Sequence, residues 1–234
     1  MARSSGASSV LHDHGAAAWD AAIHHPMVKG IADGSLSHET FRRYFTQNVL
    51  YLEDYARAIG VIVAKAPDRE AITTLTRFLA QIVENEIPMN LSFLERLGGD
   101  ADTVAGRGVM HPVTYAYTHH LLSVCALGDC AEGLTAVLPC QWSYGELARP
   151  LMSNVPPDPI YADWIALFGN DDYDGLVAQT TAMLDRLVDP RDERRMQSLF
   201  AIFERSTWYE AAFWDMAYGD PMTASVGLTG KGET

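Results

Sequence analysis

Hydrophobic side chains recur at intervals of three and four residues along most of the chain, with polar side chains between them. This spacing places the hydrophobic residues on one face of an α-helix. Alternating runs rich in valine, isoleucine and threonine, which are typical of strands, are nearly absent. The pattern therefore predicts an all-α protein with a single domain over 1–234 and loose ends at about 1–9 and 219–234.

Prolines, glycines and capping residues divide this pattern into separate helices. Ser37 is predicted to be the N-cap of one long helix, although Thr40 at the third helical position leaves its capping box incomplete. Asp129 is predicted to cap another. The predicted helices cover 9–23, 26–33, 37–65, 67–97, 112–127, 129–152, 159–168, 171–188 and 190–218.

The composition argues against several functional classes. With 30 acidic and 17 basic residues the formal net charge is −13, which repels phosphate backbones, so a nucleic-acid partner is not expected. No apolar run approaches the roughly 18 residues of a membrane helix. The 3 cysteines are too few for a disulfide framework. We therefore expect a soluble protein of a reducing compartment, the cytoplasm.

Cys140 is the most distinctive of the cysteines because it follows Pro139 inside an otherwise helical segment. A proline within a helix removes one backbone hydrogen bond and bends the axis, which changes the direction of the next side chain. Most lone cysteines are small core residues, and this interpretation stays open for Cys140 and is preferred for Cys125 and Cys130. Tyr144 lies four residues after Cys140, on the same helical face.

A second candidate group lies on the helix that follows Ser37. Its members share one face and include hydroxyl and amide groups: Phe41, Tyr44, Asn48, Tyr51 and Tyr55. Aromatic residues at this spacing usually form a core, but buried phenols and amides need hydrogen-bond partners. A plain core and a polar pocket therefore both remain open, with Tyr115 and Tyr117 as further candidates for a pocket wall.

Glu210 is the third candidate, because it is surrounded in the sequence by Trp208, Tyr209, Phe213 and Trp214. If this carboxyl group is buried, desolvation raises its pKa towards the range of a general acid or base. If it points outwards it is solvated, and the periodicity does not decide between the two.

Metal-ligand spacings of known kinds are not found. The sequence has neither H-E-x-x-H nor the E-x-x-H pairs of di-iron bundles, and Asp20 and His24 are interpreted as a pair on a helix surface. Gly98 and Gly99 lack the strand and the lysine of a phosphate-binding loop. We therefore expect neither a metal nor a cofactor.

Five motifs in order resemble the TenA family, also called thiaminase II or aminopyrimidine aminohydrolase. They are HHPMVKGIADGSL, FRRYFTQNVLYLEDYARA, HPVTYAYTHHL, AVLPCQWSYGELA and STWYEAAFWDMAY, and the resemblance extends from about Trp19 to Tyr218. It implies a haem-oxygenase-like helical bundle, a homotetramer, and hydrolysis of C–N bonds in 4-amino-2-methylpyrimidine compounds, such as thiamin or its degradation products, in thiamin salvage.

The same resemblance implies roles for particular residues. Cys140 matches the nucleophile of the family and Glu210 matches its acid/base partner. Tyr51, Tyr117 and Tyr144 match tyrosines that stack on the pyrimidine or hydrogen-bond to it.

Two positions depart from the family pattern. Asn48 stands where the family has an aspartate that recognises the aminopyrimidine edge, and Phe168 stands where many members have a pocket tyrosine. An amide accepts and donates hydrogen bonds but carries no negative charge. The departures leave open a diverged protein that binds or converts a modified pyrimidine. A metal or haem oxidase on the same scaffold is a further alternative, for which no ligand set can be assembled.

Overall fold

The computed structural model describes residues 6–219 of the chain, and within this range every regular element is a helix. The α-helices are α1 Ala7–His14, α2 Ala16–Ile23, α3 Pro26–Asp33, α4 His38–Ala64, α5 Arg69–Gln81, α6 Ile87–Arg96, α7 Ala101–Arg107, α8 Pro112–Leu127, α9 Cys130–Leu151, α10 Pro159–Phe168, α11 Asp171–Leu187 and α12 Glu193–Gly219. A π-helical segment, Ile82–Glu86, connects α5 to α6. The all-α prediction is confirmed.

Three helices begin and end at the predicted residues. Each of α3, α8 and α10 has a proline at its first position, where the missing N–H would have no intrahelical partner. Each is followed by a glycine, at Gly34, Gly128 and Gly169. A proline at the first position of a helix and a glycine after its last residue are therefore the signals from which the bounds of these three helices could be predicted.

Two N-caps also agree with prediction. The Ser37 side chain accepts a hydrogen bond from the Thr40 backbone N–H at 3.1 Å. Asp129 accepts from the Glu132 backbone N–H, and the Glu132 side chain accepts in return from the Asp129 N–H, both at 3.0 Å. This complete capping box fixes the start of α9, the helix that carries Cys140.

The beginning of the chain differs from the prediction. Helix α1 begins at Ala7, so residues 7–9 are helical rather than loose, and the Ser8 backbone N–H donates to Asp185 at 2.7 Å. Gly219, also expected to be loose, is the last residue of α12, and residues 1–5 and 220–234 lie outside the described range. The predicted helix 9–23 is divided at Gly15, where an added Cβ would lie 3.1 Å from the ring of Phe203.

The predicted helix 67–97 is also divided. Pro88 has no N–H to donate, and in a regular α-helix its ring would clash with a carbonyl oxygen one turn earlier. The wider π-helical turn of Ile82–Glu86 lies in this preceding stretch of chain. The interruption leaves Glu86 buried, at 5% exposure. Helix α7 was not predicted, although Asp100 caps it by accepting from the Thr103 N–H at 2.9 Å.

The site is positioned by α4, which packs against α5, α6, α8, α9 and α12. The contact between α4 and α9 is close at Gly133, where an added Cβ would lie only 2.1 Å from Cγ2 of Ile62. The absence of a side chain there lets the two helices approach each other. No helix between residues 6 and 219 has the length and apolarity that crossing a membrane requires.

Candidate active site

A small cavity lies among α4, α8, α9 and α12. Its walls are formed by Asn48, Tyr51, Tyr117, Cys140, Tyr144, Glu210 and Phe213. The centre of a water molecule can occupy about 10 Å³ of it, which is room for about one water. An aromatic ring can therefore enter only if side chains of the wall move.

Six of the seven predicted site residues line this cavity, and Phe168 does not. The Phe168 ring packs behind Tyr144, with the ring centroids 4.9 Å apart. Tyr115, also considered for a pocket wall, is 55% exposed and its ring packs against His119. The face of α4 considered for a pocket is buried from Phe41 to Tyr55.

Cys140 is buried in the wall formed by α9, and its surroundings oppose ionisation. Burial raises the pKa of the Cys140 thiol well above its usual range, and the carboxyl groups of Glu210 and Glu86 raise it further. The neighbouring phenols of Tyr51 and Tyr55 oppose this shift without cancelling it. The resting cysteine is therefore a neutral thiol, and a base has to take its proton when the sulfur acts as a nucleophile.

Glu210 projects from α12 into the same cavity and is only 3% exposed. The Tyr117 phenol donates a hydrogen bond to Glu210 Oε1. Burial raises the pKa of Glu210 to about 7, although the hydrogen bond from Tyr117 lowers it. The outward, solvated orientation that the sequence left open is wrong, and the carboxyl group has the pKa of an acid/base catalyst near neutrality.

The tyrosines of the wall differ in their hydrogen bonding. The Tyr51 hydroxyl is buried and makes no hydrogen bond of good geometry with residues 6–219, although it lies close enough to the Cys140 thiol to lower the pKa of that thiol. The Tyr144 hydroxyl lies 3.0 Å from the hydroxyl of Tyr44. Tyr51 is therefore the phenol that is free to bind a ligand, while Tyr144 is held by a neighbour on α4.

Asn48 is held by a residue that sequence analysis missed. Its Nδ2 donates to Oδ1 of Asn90 at 2.8 Å, and Asn90 Nδ2 donates to the backbone carbonyl of Glu86, also at 2.8 Å. Asn90 lies on α6 and is 1% exposed. The only signal in the sequence was a polar residue soon after Pro88, in a segment with a helical pattern.

Glu86 is the second buried carboxyl group near the thiol. Burial, and then the nearby carboxyl group of Glu210, raise the pKa of Glu86 to about 8. It is therefore mostly protonated at neutral pH. Glu86 is the last residue of the π-helical segment, and π-helical turns of this kind often occur at functional sites.

The remaining candidates have structural surroundings. Burial raises the pKa of the Cys125 thiol to about 12 and that of Cys130 to about 11, in agreement with packing roles. Asp20 and His24 form an exposed pair at 3.5 Å, as interpreted. In the described part of the chain, no three His, Cys, Asp or Glu side chains are grouped to hold a metal ion.

Comparison with known proteins identifies the family. The model of the TENA/THI-4/PQQC family matches residues 12–220. The chain belongs to this family. An aminopyrimidine aminohydrolase of Halalkalibacterium halodurans is 32% identical over 216 residues, which cover 91% of this chain and 95% of the relative. The family predicted from the motifs is thus confirmed.

Solved structures agree with the fold. A TenA family transcription regulator from Silicibacter sp. TM1040 is similar, with a TM-score of 0.85, 26% identity, and coverage of 92% of this chain and 97% of the other. A domain of unknown function with a haem-oxygenase-like fold, from Shewanella denitrificans, has a TM-score of 0.70 at 16% identity and covers 90% and 91% of the two chains. The predicted haem-oxygenase-like bundle is confirmed.

Proposed function

We propose that the protein hydrolyses a C–N bond of a 4-amino-2-methylpyrimidine compound, with Cys140 as nucleophile and Glu210 as acid and base. One observation carries the proposal: a thiol, a carboxyl group with a pKa of about 7 and several phenols face one buried cavity. Aminopyrimidine aminohydrolases among the relatives support the substrate class.

In the first step, Tyr51 and Tyr117 hold the pyrimidine ring and Asn48 holds its polar edge. The Glu210 carboxylate accepts the proton of the Cys140 thiol while the sulfur forms a bond to an electron-poor ring carbon. The electron pair of the ring double bond moves to a ring nitrogen. This transfer of the proton to Glu210 avoids a free thiolate, which the cavity disfavours.

In the second step, the electron pair on the ring nitrogen flows back through the ring to form a double bond to the exocyclic methylene, and the C–N bond to the leaving group breaks. The protonated Glu210 gives its proton to this leaving group. Glu210 then removes a proton from water, the hydroxide oxygen bonds to the methylene carbon, and the electrons of the exocyclic double bond move into the ring. Their return to restore the aromatic ring breaks the C–S bond and leaves the electron pair on sulfur. The proton passes from Glu210 to the sulfur, so the thiol and the carboxylate are both restored.

The test is the Cys140→Ser variant. We expect its turnover to fall below detection, while its affinity for the aminopyrimidine stays within a few-fold of that of the original protein. Cys130→Ala, outside the cavity, is the matched control and should keep its activity. Chromatography of the products from an aminopyrimidine and from thiamin measures turnover, and normal turnover by Cys140→Ser would refute the covalent mechanism.

A second candidate function is ligand binding without turnover, in a diverged member of the family. The observation that favours it is Asn48, an uncharged group in the place where the family pattern has an aspartate. Thermal-shift measurements with thiamin, an aminopyrimidine and a hydroxypyrimidine distinguish the two candidates when combined with the turnover assay. Stabilisation by one of these compounds without product would support the second candidate.

The assembly and the compartment belong to the same proposal. We expect a homotetramer in the cytoplasm, as the family motifs imply, and Trp208 on α12, at 54% exposure, is a large side chain that a subunit contact would cover. Light scattering coupled to size-exclusion chromatography measures the assembly. A monomer at micromolar concentration would contradict the expected tetramer.

A further inference from the structure

Two amide side chains and one backbone carbonyl form a continuous hydrogen-bonded chain that ends at the cavity. Asn48 donates to Asn90, and Asn90 donates to the carbonyl of Glu86. Asn48 and Asn90 are 4% and 1% exposed. Only Asn48 is part of the cavity wall, so Asn90 and the Glu86 carbonyl stand behind it.

The two amide groups can be oriented in only one way that satisfies these hydrogen bonds. A backbone carbonyl can only accept a hydrogen bond, so the nitrogen of the Asn90 amide must face Glu86. The Asn90 oxygen then faces Asn48 and must receive a donor, which is the Asn48 nitrogen. The oxygen of Asn48 is consequently left for the cavity, since the side-chain hydrogen bond that Asn48 makes within residues 6–219 runs through its nitrogen.

We propose that Asn90 is a positioning residue that fixes the Asn48 amide with its oxygen towards the cavity, so that the site selects an uncharged ligand edge bearing an N–H donor. The exocyclic amine of a 4-aminopyrimidine is such a donor. The inference rests on the proposed function for the identity of the ligand, and it adds how the amine is recognised without a negative charge at this position.

The orientation of the Asn48 amide decides which ligands the site binds. An amide that was free to rotate could present either its nitrogen or its oxygen and would accept ligands with a donor or an acceptor at this edge. Rotation of Asn48 in the folded protein would place its oxygen against the oxygen of Asn90 and break the bond between them. A ligand that lacks the donor covers the Asn48 oxygen without offering it a hydrogen bond, which weakens the binding of that ligand.

The experiment measures the affinities of 4-amino-2-methylpyrimidine and 2-methylpyrimidine by calorimetry on the full chain. Neither compound carries a leaving group on a methylene, so binding is separated from turnover. We expect the original protein to prefer the amine about tenfold, the value of one buried hydrogen bond. Asn90→Leu, which has a similar size and no hydrogen-bonding group, should reduce this preference to near one.

A double-variant comparison tests whether Asn90 acts through Asn48. Asn48→Ala should also abolish the preference, and adding Asn90→Leu to it should change neither affinity further. If Asn90→Leu does not fold, Asn90→Ser, which is too short to reach both partners, replaces it. An unchanged preference in the Asn90 variant, an equal loss of affinity for both compounds, or no preference in the original protein would overturn the inference.

A failure of this inference can be distinguished from a failure of the proposed hydrolysis. A preference for the amine that depends on Asn90, in a protein without turnover, supports the inference and contradicts the proposed hydrolysis. Turnover with a preference independent of Asn90 supports the hydrolysis and contradicts the inference.

Discussion

The Tyr117 hydroxyl, from α8, donates a hydrogen bond to the Glu210 carboxyl group, from α12, inside the protein. The two residues are 1% and 3% exposed. The bond favours the ionised carboxylate, whereas burial favours the protonated acid, and the resulting pKa is about 7. Tyr117 therefore adjusts the protonation of the group proposed as acid and base.

Replacement of Tyr117 by phenylalanine should raise the pKa of Glu210 above its value of about 7, because the hydrogen bond that lowers this pKa is lost while the burial that raises it remains. The acidic limb of the pH profile of kcat/KM should move to higher pH in this variant. Infrared titration of the carboxyl group in the free protein measures the same shift without substrate. Tyr173→Phe, which removes a hydroxyl bonded to the Gln141 carbonyl at 3.1 Å, is the matched control and should leave Glu210 unchanged.

The Cys140 thiol should react slowly with iodoacetamide in the native protein at pH 7. Burial and neighbouring carboxyl groups keep its pKa well above the usual range, and alkylation requires the thiolate. All 3 cysteines are buried, so mass spectrometry should find little modification before unfolding and full modification after it. Rapid alkylation of native Cys140 would indicate an ionised thiol and would remove the need for a base.

Glu86→Gln should become increasingly more stable than the original protein as the pH rises. The pKa of Glu86 is raised from 4.5 to about 8 in the folded state, so the folded protein holds a proton that the unfolded chain releases. The stability linked to this proton is complete below pH 4.5 and is lost as the pH rises towards 8. Glutamine cannot ionise and removes this dependence.

Urea unfolding at several pH values measures the effect of Glu86→Gln on the free energy of unfolding. Glu95→Gln, on the exposed side of the same helix region, is the control and should show no comparable trend. A difference between Glu86→Gln and the original protein that does not change between pH 5 and pH 8 would contradict a raised pKa at Glu86.

Two glycine substitutions test the packing that brings the site together. Gly133→Ala should lower the free energy of unfolding by about 1–3 kcal/mol, because its Cβ would lie 2.1 Å from the buried Ile62 methyl group. Gly175→Ala on α11, where a Cβ meets nothing within 4 Å, should raise it by about 0.5–1 kcal/mol. Thermal unfolding of both variants measures the contrast, and equal effects would contradict the close approach of α4 and α9.

The thiol and the carboxyl group could be predicted from sequence because each lies in a distinctive local pattern. Cys140 follows a proline inside a helix, and Glu210 lies among aromatic residues. Their convergence on one cavity was implied by the family motifs, since no periodicity relates α9 to α12. The tyrosines of α4 could be placed on one face because helical spacing alone determines that relationship.

Asn90 and Glu86 could not be found in the same way. Their positions depend on the π-helical turn before Pro88, and the tighter α-helical period does not hold across such a turn. The division at Gly15 was missed for a related reason, since it depends on the ring of Phe203 from a distant helix. Local patterns identify faces within an element but not the breaks that tertiary contacts impose.

The length of the π-helical segment has a consequence for how this protein can change over evolution. Each residue of an α-helix turns the following side chain by about 100° around the axis. Removal of one residue between 82 and 86 would change the register between the π-helical segment and the helix that carries Asn90, while leaving the composition of the segment almost intact. On the proposed role of Asn90, ligand selectivity in this scaffold can therefore be altered by a single-codon deletion, with no substitution of any residue that lines the cavity.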